Sequence, residues 1–380
     1  MIGALKRKLR EAYRSFKRNR YYFSEKADGT RDYFRRHNPP ALSAEEIKEI
    51  DAFWKQFGIR LEHHRWHQMY YDMTGIKDPA FLPQNLAEIA LYPYYNELKK
   101  TKVWADKNYF QRFVPVVQFP TMLGQRIRGL YYDAKHQAYT PQELDAFCEA
   151  IYRGLPAGDS FSVIIKQTID TMQGRGVKKY DFSSREELLE INKKHADQEN
   201  YLIQKAIRQH PFFAQFNSSS VNIVRVTTWR NGKDILAFSP CIRFGIKGSC
   251  TDVAYVNGEE IINCIGILPD GRVRDEYITL AGEKLPFIGE LREVPHWNEI
   301  VETVKKAHSY LEQFDLVAWD MTVDEQGQII CIEYNIRSPG TIVSQMADGP
   351  FAGEHTRELL QFLTQPQNRK KYLPKKLRID

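Results

Sequence analysis

The chain of 380 residues is 42% apolar and 27% charged, enough for about two to three compact domains. Its net charge of +6 is uneven: residues 1–40 hold 12 Lys/Arg against 4 Asp/Glu, residues 366–380 hold 6 basic residues and Asp380, and the span between is net acidic. No run of about 18 apolar residues supports a transmembrane helix, the basic start lacks a secretory apolar core, and scattered cysteines without CxxC (Cys148, Cys241, Cys250, Cys264, Cys331) favour reduced thiols in a cytoplasmic protein.

In chain order, Ile2, Leu5, Leu9 and Phe16 recur at helical spacing among Lys and Arg, which predicts a basic amphipathic helix within residues 1–40. Such a helix suits a membrane surface, or docks its aromatics on the protein's own body. Ser43 with Glu46 three residues on predicts a capped helix. Residues 43–100 read as helical and aromatic. His63-His64-xx-His67 lacks the glutamate of HExxH, so packed or solvated histidines are expected rather than a metal site.

From about residue 106 short β-runs alternate with Gly turns and helices. They are 161–166, 201–207, 221–229, 235–242, 260–268, 316–323 and 328–336, with capped helices over about 185–197 and 353–364. The pattern predicts an α+β or α/β body with largely antiparallel sheets.

The last two runs carry the strongest chemical signal. Pairing them symmetrically about the turn Asp324-Glu325-Gln326-Gly327 sets Asp320 opposite Glu333, with Asn335 on the same face. Facing carboxylates destabilise a sheet unless something relieves them, and hard oxygen donors suit Mg2+ or Mn2+ completed by water and phosphate oxygens. Lys166 ends its β-run ahead of Gln173-Gly174-Arg175-Gly176-Val177, where glycines let backbone N–H groups approach a phosphate. Lys107 follows Asp106. Arg225, Arg243 and Arg337 lie in or just after apolar β-runs, where each needs an anionic partner. Cys331 shares parity with Glu333, and packing as a small hydrophobe is the favoured reading.

This combination resembles the ATP-grasp superfamily. The stretches DPAFLP (78–83) through YPYYN (92–96), then DKNYF, then SSVNIVRVTT within 217–228, are similar to the sugar-transfer-associated ATP-grasp family, over about residues 70–365. The resemblance implies an α+β ATP-grasp fold, two lobes clasping ATP, behind a mostly helical N-terminal region. The implied division is a basic segment 1–40, a helical region 41–105, a first lobe 106–205, a second lobe 206–365 and a basic tail 366–380. Lys107 and Lys166 would hold ATP phosphates under a loop containing Gly174, Arg175 and Gly176. Gln204, Lys205 and Ile207 would form the hinge against adenine. Asp320, Glu333 and Asn335 would hold two Mg2+ (or Mn2+) ions, and Arg225, Arg243 and Arg337 would face the γ-phosphate and acceptor. Two departures stand out: relatives commonly carry an acidic residue in the hinge where Gln204-Lys205 stands, and Thr251-Asp252-Val253 lacks an Asp-Asn pair followed by Gly-Gly.

The resemblance further implies an ATP-dependent carboxylate–amine ligase in surface-polysaccharide assembly, with small-molecule carboxylate and amine substrates. The rivals are a kinase of sugar-type hydroxyls and a nucleotide-binding scaffold. No nucleic-acid partner is expected, because basic residues gather at the ends without a binding motif. Peripheral contact with the membrane or a membrane-bound glycosyltransferase is the role left open for those ends.

Overall fold

Ser43 accepts a hydrogen bond from Glu46 N (3.1 Å) while the Glu46 carboxylate accepts from Ser43 N (2.7 Å), so the expected cap starts α1, Ala44–Lys55. The computed structural model describes Tyr13, Arg20, Tyr22 and residues 29–155, 158, 160–169 and 176–379. Of the basic opening it describes Tyr13, Arg20, Tyr22 and a short helix Arg31–Arg36; the rest of that expectation lies outside the described residues. α2, Arg65–Thr74, stops at Gly75, whose φ of 75° is the left-handed cap that glycine accepts without cost. The chain then winds through Gln84–Leu86, a π-helical turn Ala87–Leu91 and Tyr92–Tyr95. Trp54, Trp66, Tyr70, Phe81 and Tyr92 form the core of this helical region.

The chain end belongs to the same body. Leu363, Leu373 and Leu377 pack into the helical core, and Arg60 N donates to Leu377 O (2.8 Å). The segment read as a basic tail thus folds as α7, Pro366–Tyr372, leaving Lys370, Lys371, Lys375 and Lys376 exposed. The intervening helices are α3, Leu144–Arg153; α4, Arg185–Lys193; α5, Trp297–His308; and α6, Ile342–Asp348.

Among the described residues two large antiparallel sheets form. The first takes the order β3-β2-β1-β6-β4-β5, from β1 Met122–Ile127, β2 Leu130–Asp133, β3 Ala138–Tyr139, β4 Phe161–Lys166, β5 Lys178–Phe182 and β6 Tyr201–Lys205. Val163, Ile165, Tyr201 and Ile203 alternate onto the face covered by α3 and α4, which leaves Ile164, Lys166 and Gln204 on the other face. Gly124 in β1 is required there, since a Cβ would stand 2.6 Å from the Phe147 ring.

The second sheet runs β13-β12-β11-β8-β7-β14-β15, built from β7 Ile223–Asn231, β8 Asp234–Phe244, β11 Asn263–Gly266, β12 Glu276–Thr279, β13 Lys284–Pro286, β14 Leu316–Val323 and β15 Ile329–Asn335. The β-run expected over 260–268 divides: β10, Glu259–Ile261, turns back on β9, Ala254–Val256, and only β11 joins the large sheet. The helix expected over 353–364 is likewise broken, with 3-10 turns on either side of Thr356–Leu360. Val224, Val226, Ile242, Trp319 and Met321 pack with α5 on one face.

Two chain crossings tie the sheets together and set the seam between them. Residues 117–119 run beside the outer edge of β15, where Cys331 N donates to Gln118 O (2.8 Å), before entering β1. After β6, His210 N donates to Val323 O (2.9 Å) and Glu325 N to Arg208 O (2.9 Å). Phe110, Val114, Val117 and Phe119, which precede the first sheet in the chain, pack into the core of the second.

Candidate active site

Asp320 does pair with Glu333, but not through an even ladder. Near the turn Met321 pairs with Cys331 and Val323 with Ile329, one residue off the symmetric register, and a bulge between Asp320 and Met321 restores the expected pair. The bulge also reverses the strand's parity. Ile332 and Glu333 both line the cleft, while Cys331 is fully buried in the core of the second sheet. Cys331 therefore packs, as expected, for a reason that simple alternation misses.

The facing carboxylates each have a cation. Arg225 on β7 pairs directly with Asp320 on β14 and grips it in parallel, Nε to Oδ1 at 2.7 Å and Nη2 to Oδ2 at 2.7 Å. Asn335 Nδ2 donates to the same Oδ2 (3.2 Å), and Lys107 Nζ lies 3.5 Å from Glu333 Oε2. Asp106 places that lysine by accepting from Asn108 N (3.1 Å), which caps the 3-10 turn Lys107–Tyr109, while Lys107 N donates to Thr168 O (3.1 Å) just beyond β4. Burial raises the Glu333 carboxyl, but Lys107, Lys166, Arg225 and Arg243 outweigh it and hold the group below the usual carboxylate range. Lys166 is 7% exposed, and burial, with Lys107 adding repulsion, lowers it to about 8.

Lys107, Lys166, Asp320 and Glu333 line one side of a cleft of about 820 Å³, part of it open to solvent, whereas the expected Arg225, Arg243 and Asn335 stand behind them and do not line it. Its walls are Ile164, Val177, Ile207, Val221, Ile223 and Ile332, with Gln204 and Lys205 at the seam. Lys205 N donates to Thr121 O (2.9 Å) and Gln204 Nε2 to Pro120 O (3.3 Å), so the end of β6 is held against the chain that enters β1. An apolar slot thus lies beside a cluster of cationic and acidic side chains. Of the Gly-rich loop, Gly174 and Arg175 lie outside the described residues; Gly176 adopts φ of 75°.

The remaining expected residues divide. Arg243 is 7% exposed and its Nη2 lies 2.7 Å from Asp252 Oδ2, a pairing that the sequence did not announce. Burial raises the Asp252 carboxyl and Arg243 opposes that. Asp252, Cys250 and Thr251 reach the cleft on a loop after β8 that folds back against Val221 and Asn222. The apolar walls were more legible: Ile164 and Ile223 stand two residues before Lys166 and Arg225, hence on the same sheet faces. Arg337 is exposed just beyond β15 and does not line this cleft. The three histidines do not converge: His67 is buried and accepts from Trp54 Nε1 (3.1 Å), while His64 meets Asp51 (2.9 Å).

Among the described residues no group of three or more His, Cys, Asp or Glu side chains is arranged to hold a metal ion. Two carboxylates and an amide nonetheless fit Mg2+, which takes one or two carboxylates plus substrate phosphates instead of an all-protein cage. Glu333 and the Asn335 amide oxygen are the donors that Arg225 leaves clear.

A model of the family described as sugar-transfer associated ATP-grasp matches residues 87–359. Among curated proteins none matches this chain. Three solved structures are similar at low identity. D-alanyl-alanine synthetase A from Vibrio cholerae shares 13%, covering 70% of this chain and 66% of that one at a TM-score of 0.40. The VanG D-Ala:D-Ser ligase from Enterococcus faecalis shares 10%, with 69% and 62% covered at 0.42. An L-amino acid ligase from Bacillus licheniformis shares 12%, with 72% and 48% covered at 0.36. The chain thus spans less than two thirds of each of those proteins.

Proposed function

Since the chain belongs to the sugar-transfer associated ATP-grasp family, we propose that it is an ATP- and Mg2+-dependent ligase joining a carboxylate to an amine through an acyl-phosphate. The observation that carries this reading is the row Arg225–Asp320–Glu333 across three strands, with Lys107 and Lys166 beside it in one cleft. The family's description supports an acceptor or donor borne on a sugar, as in surface-polysaccharide assembly.

The substrate carboxylate attacks the γ-phosphorus, the bond to the β–γ bridging oxygen breaks and ADP leaves. The amine then attacks the acyl carbonyl, expels phosphate and loses a proton, which leaves the amide. Carboxylate and triphosphate repel, so the work of the site is to hold both in line and to absorb charge. Lys107 and Lys166 hold the phosphates, Gln204, Lys205 and Ile207 hold the base, and Arg243 faces the acceptor side. Glu333 and Asn335, joined by Asp320 through the lone pairs that Arg225 leaves, would hold Mg2+, two ions in this reading, which would neutralise phosphate charge. Arg225 keeps Asp320 aimed. Arg337, outside the cleft, is assigned to the acceptor approach. No side-chain nucleophile is needed. The exposed lysines of α7 and the turn after it suit peripheral contact with an anionic surface.

Purified protein is incubated with ATP, Mg2+ and a panel of amino acids and uronic-acid sugars. A ligase releases ADP and free phosphate together, and Glu333→Gln abolishes both while the protein stays folded. Phosphate retained on a sugar makes it a kinase, and unchanged turnover in Glu333→Gln sinks the site assignment.

A further inference from the structure

No residue from Asp78 to Asn96 lines the nucleotide cleft, yet the polar groups of this stretch converge on the hairpin β14–β15 and the chain that follows it. Asn96 clamps the base of the hairpin: Nδ2 donates to Leu316 O (2.8 Å) and Ile336 O (2.5 Å), and Oδ1 accepts from Leu316 N (3.0 Å). Leu82 N donates to Gln345 Oε1 (2.7 Å), and Gln345 Nε2 returns a bond to Leu82 O (2.9 Å). Between these clasps, Gln84 Oε1 accepts from Thr341 N (3.1 Å) and from the Thr341 hydroxyl. Gln84 Nε2 donates to Glu88 Oε1 (2.8 Å), which also accepts from Ser338 Oγ (2.5 Å).

The segment 337–341 held in this way borders the active site. Gly340 has φ of 79°, and a Cβ placed on it would stand 3.6 Å from Arg225 Nη1, the same guanidinium that grips Asp320. Glu88 lies in the π-helical turn Ala87–Leu91, an uncommon conformation that recurs at functional sites. A carboxylate in this half-buried place costs free energy that its hydrogen bonds must offset, and Gln84 and Ser338 supply them from two different segments. Burial raises its carboxyl, against the opposing effect of Ser338, Gln84 and Arg337.

We propose that Glu88 is a positioning residue for phosphate transfer: with Gln84 it fixes the 337–341 segment, and through Gly340 it keeps Arg225 aligned on Asp320. The inference rests on the nucleotide-and-metal reading for its functional half only.

The test compares hydrogen exchange over residues 336–345 and Mg2+-ATP affinity in wild type, Glu88→Ala, Glu88→Gln and Ser338→Ala. Loss of two bonds to a charged acceptor predicts that Glu88→Ala raises exchange and weakens Mg2+-ATP binding, each about tenfold, with a cooperative melt retained. Glu88→Gln keeps the Oε1 acceptor and returns both readings to within about twofold of wild type. Ser338→Ala removes one donor from the other side and is expected to raise exchange over the same residues, which keeps the test usable if Glu88→Ala does not fold. Wild-type exchange in Glu88→Ala, or in Ser338→Ala where the former does not fold, overturns the proposal. Raised exchange with unchanged Mg2+-ATP affinity also overturns it. A wild type that does not bind Mg2+-ATP removes the nucleotide reading instead, and the exchange result still decides whether Glu88 holds the segment.

Discussion

Lys166 is the side chain whose chemistry is most exposed to test. It ends β4 on the cleft face, and burial with Lys107 nearby lowers its pKa to about 8. It is cationic below that pH in the free protein and neutral above it, and a phosphate-bound lysine must be cationic. Mg2+-ATP affinity is therefore expected to fall above pH 8, approaching about one decade per pH unit, with proton uptake on binding near that pH. Calorimetry in two buffers of different ionisation enthalpy measures both, and an affinity flat between pH 7 and 9.5 contradicts the role. Glu333 behaves in the opposite sense, because the surrounding cations keep it ionised well below neutrality. That Lys107, Lys166, Asp320 and Glu333 would gather at one place was legible from type and spacing. The pairing of Arg225 with Asp320 was not, because it depends on which strand lies beside β14, and that is a long-range choice.

At the scale of elements, the hairpin shows how a right answer can come from an incomplete route. Symmetric pairing predicts Asp320 opposite Glu333, and the structure reaches that pair only through a bulge, which also turns Ile332 into the cleft and Cys331 into the core. No composition signal marks the bulge between Asp320 and Met321, so the sequence pattern could not place Cys331 by parity. The loop after β8 was equally hidden. It reaches the site because Gly245 lets it fold back: a Cβ there would collide with Thr251 O and Ser249 Oγ. Gly245→Ala is expected to displace the residues around Asp252 and weaken Mg2+-ATP binding about tenfold, at a stability cost of about 1–3 kcal/mol. Urea unfolding and calorimetry read the two effects separately. Wild-type affinity in the alanine variant would show that this loop is not part of the site.

Over the whole molecule, the helical region and the two sheets divide the work. The sheets form the cleft, and the stretch 78–96, singled out by resemblance rather than by any catalytic pattern, clasps the hairpin from behind. The helical character of residues 43–100 and the largely antiparallel sheets after it could be read from periodicity and β-runs. The docking of the chain end on α1 and α2 could not, because its few apolar residues are diluted by lysine and arginine. The net charge changes meaning accordingly: the α7 lysines stand on a folded surface, and the acidic body contains a site whose carboxylates are matched to nearby cations. We propose that this cleft binds ATP through its buried lysine and the β14–β15 hairpin. Titration of Mg2+-ATP into wild type and Lys166→Met at pH 7 tests it most directly. Loss of one charge-assisted contact predicts saturable wild-type binding that weakens about 10- to 100-fold in the variant. Equal affinity in the two proteins, or no binding to the wild type, would contradict the account.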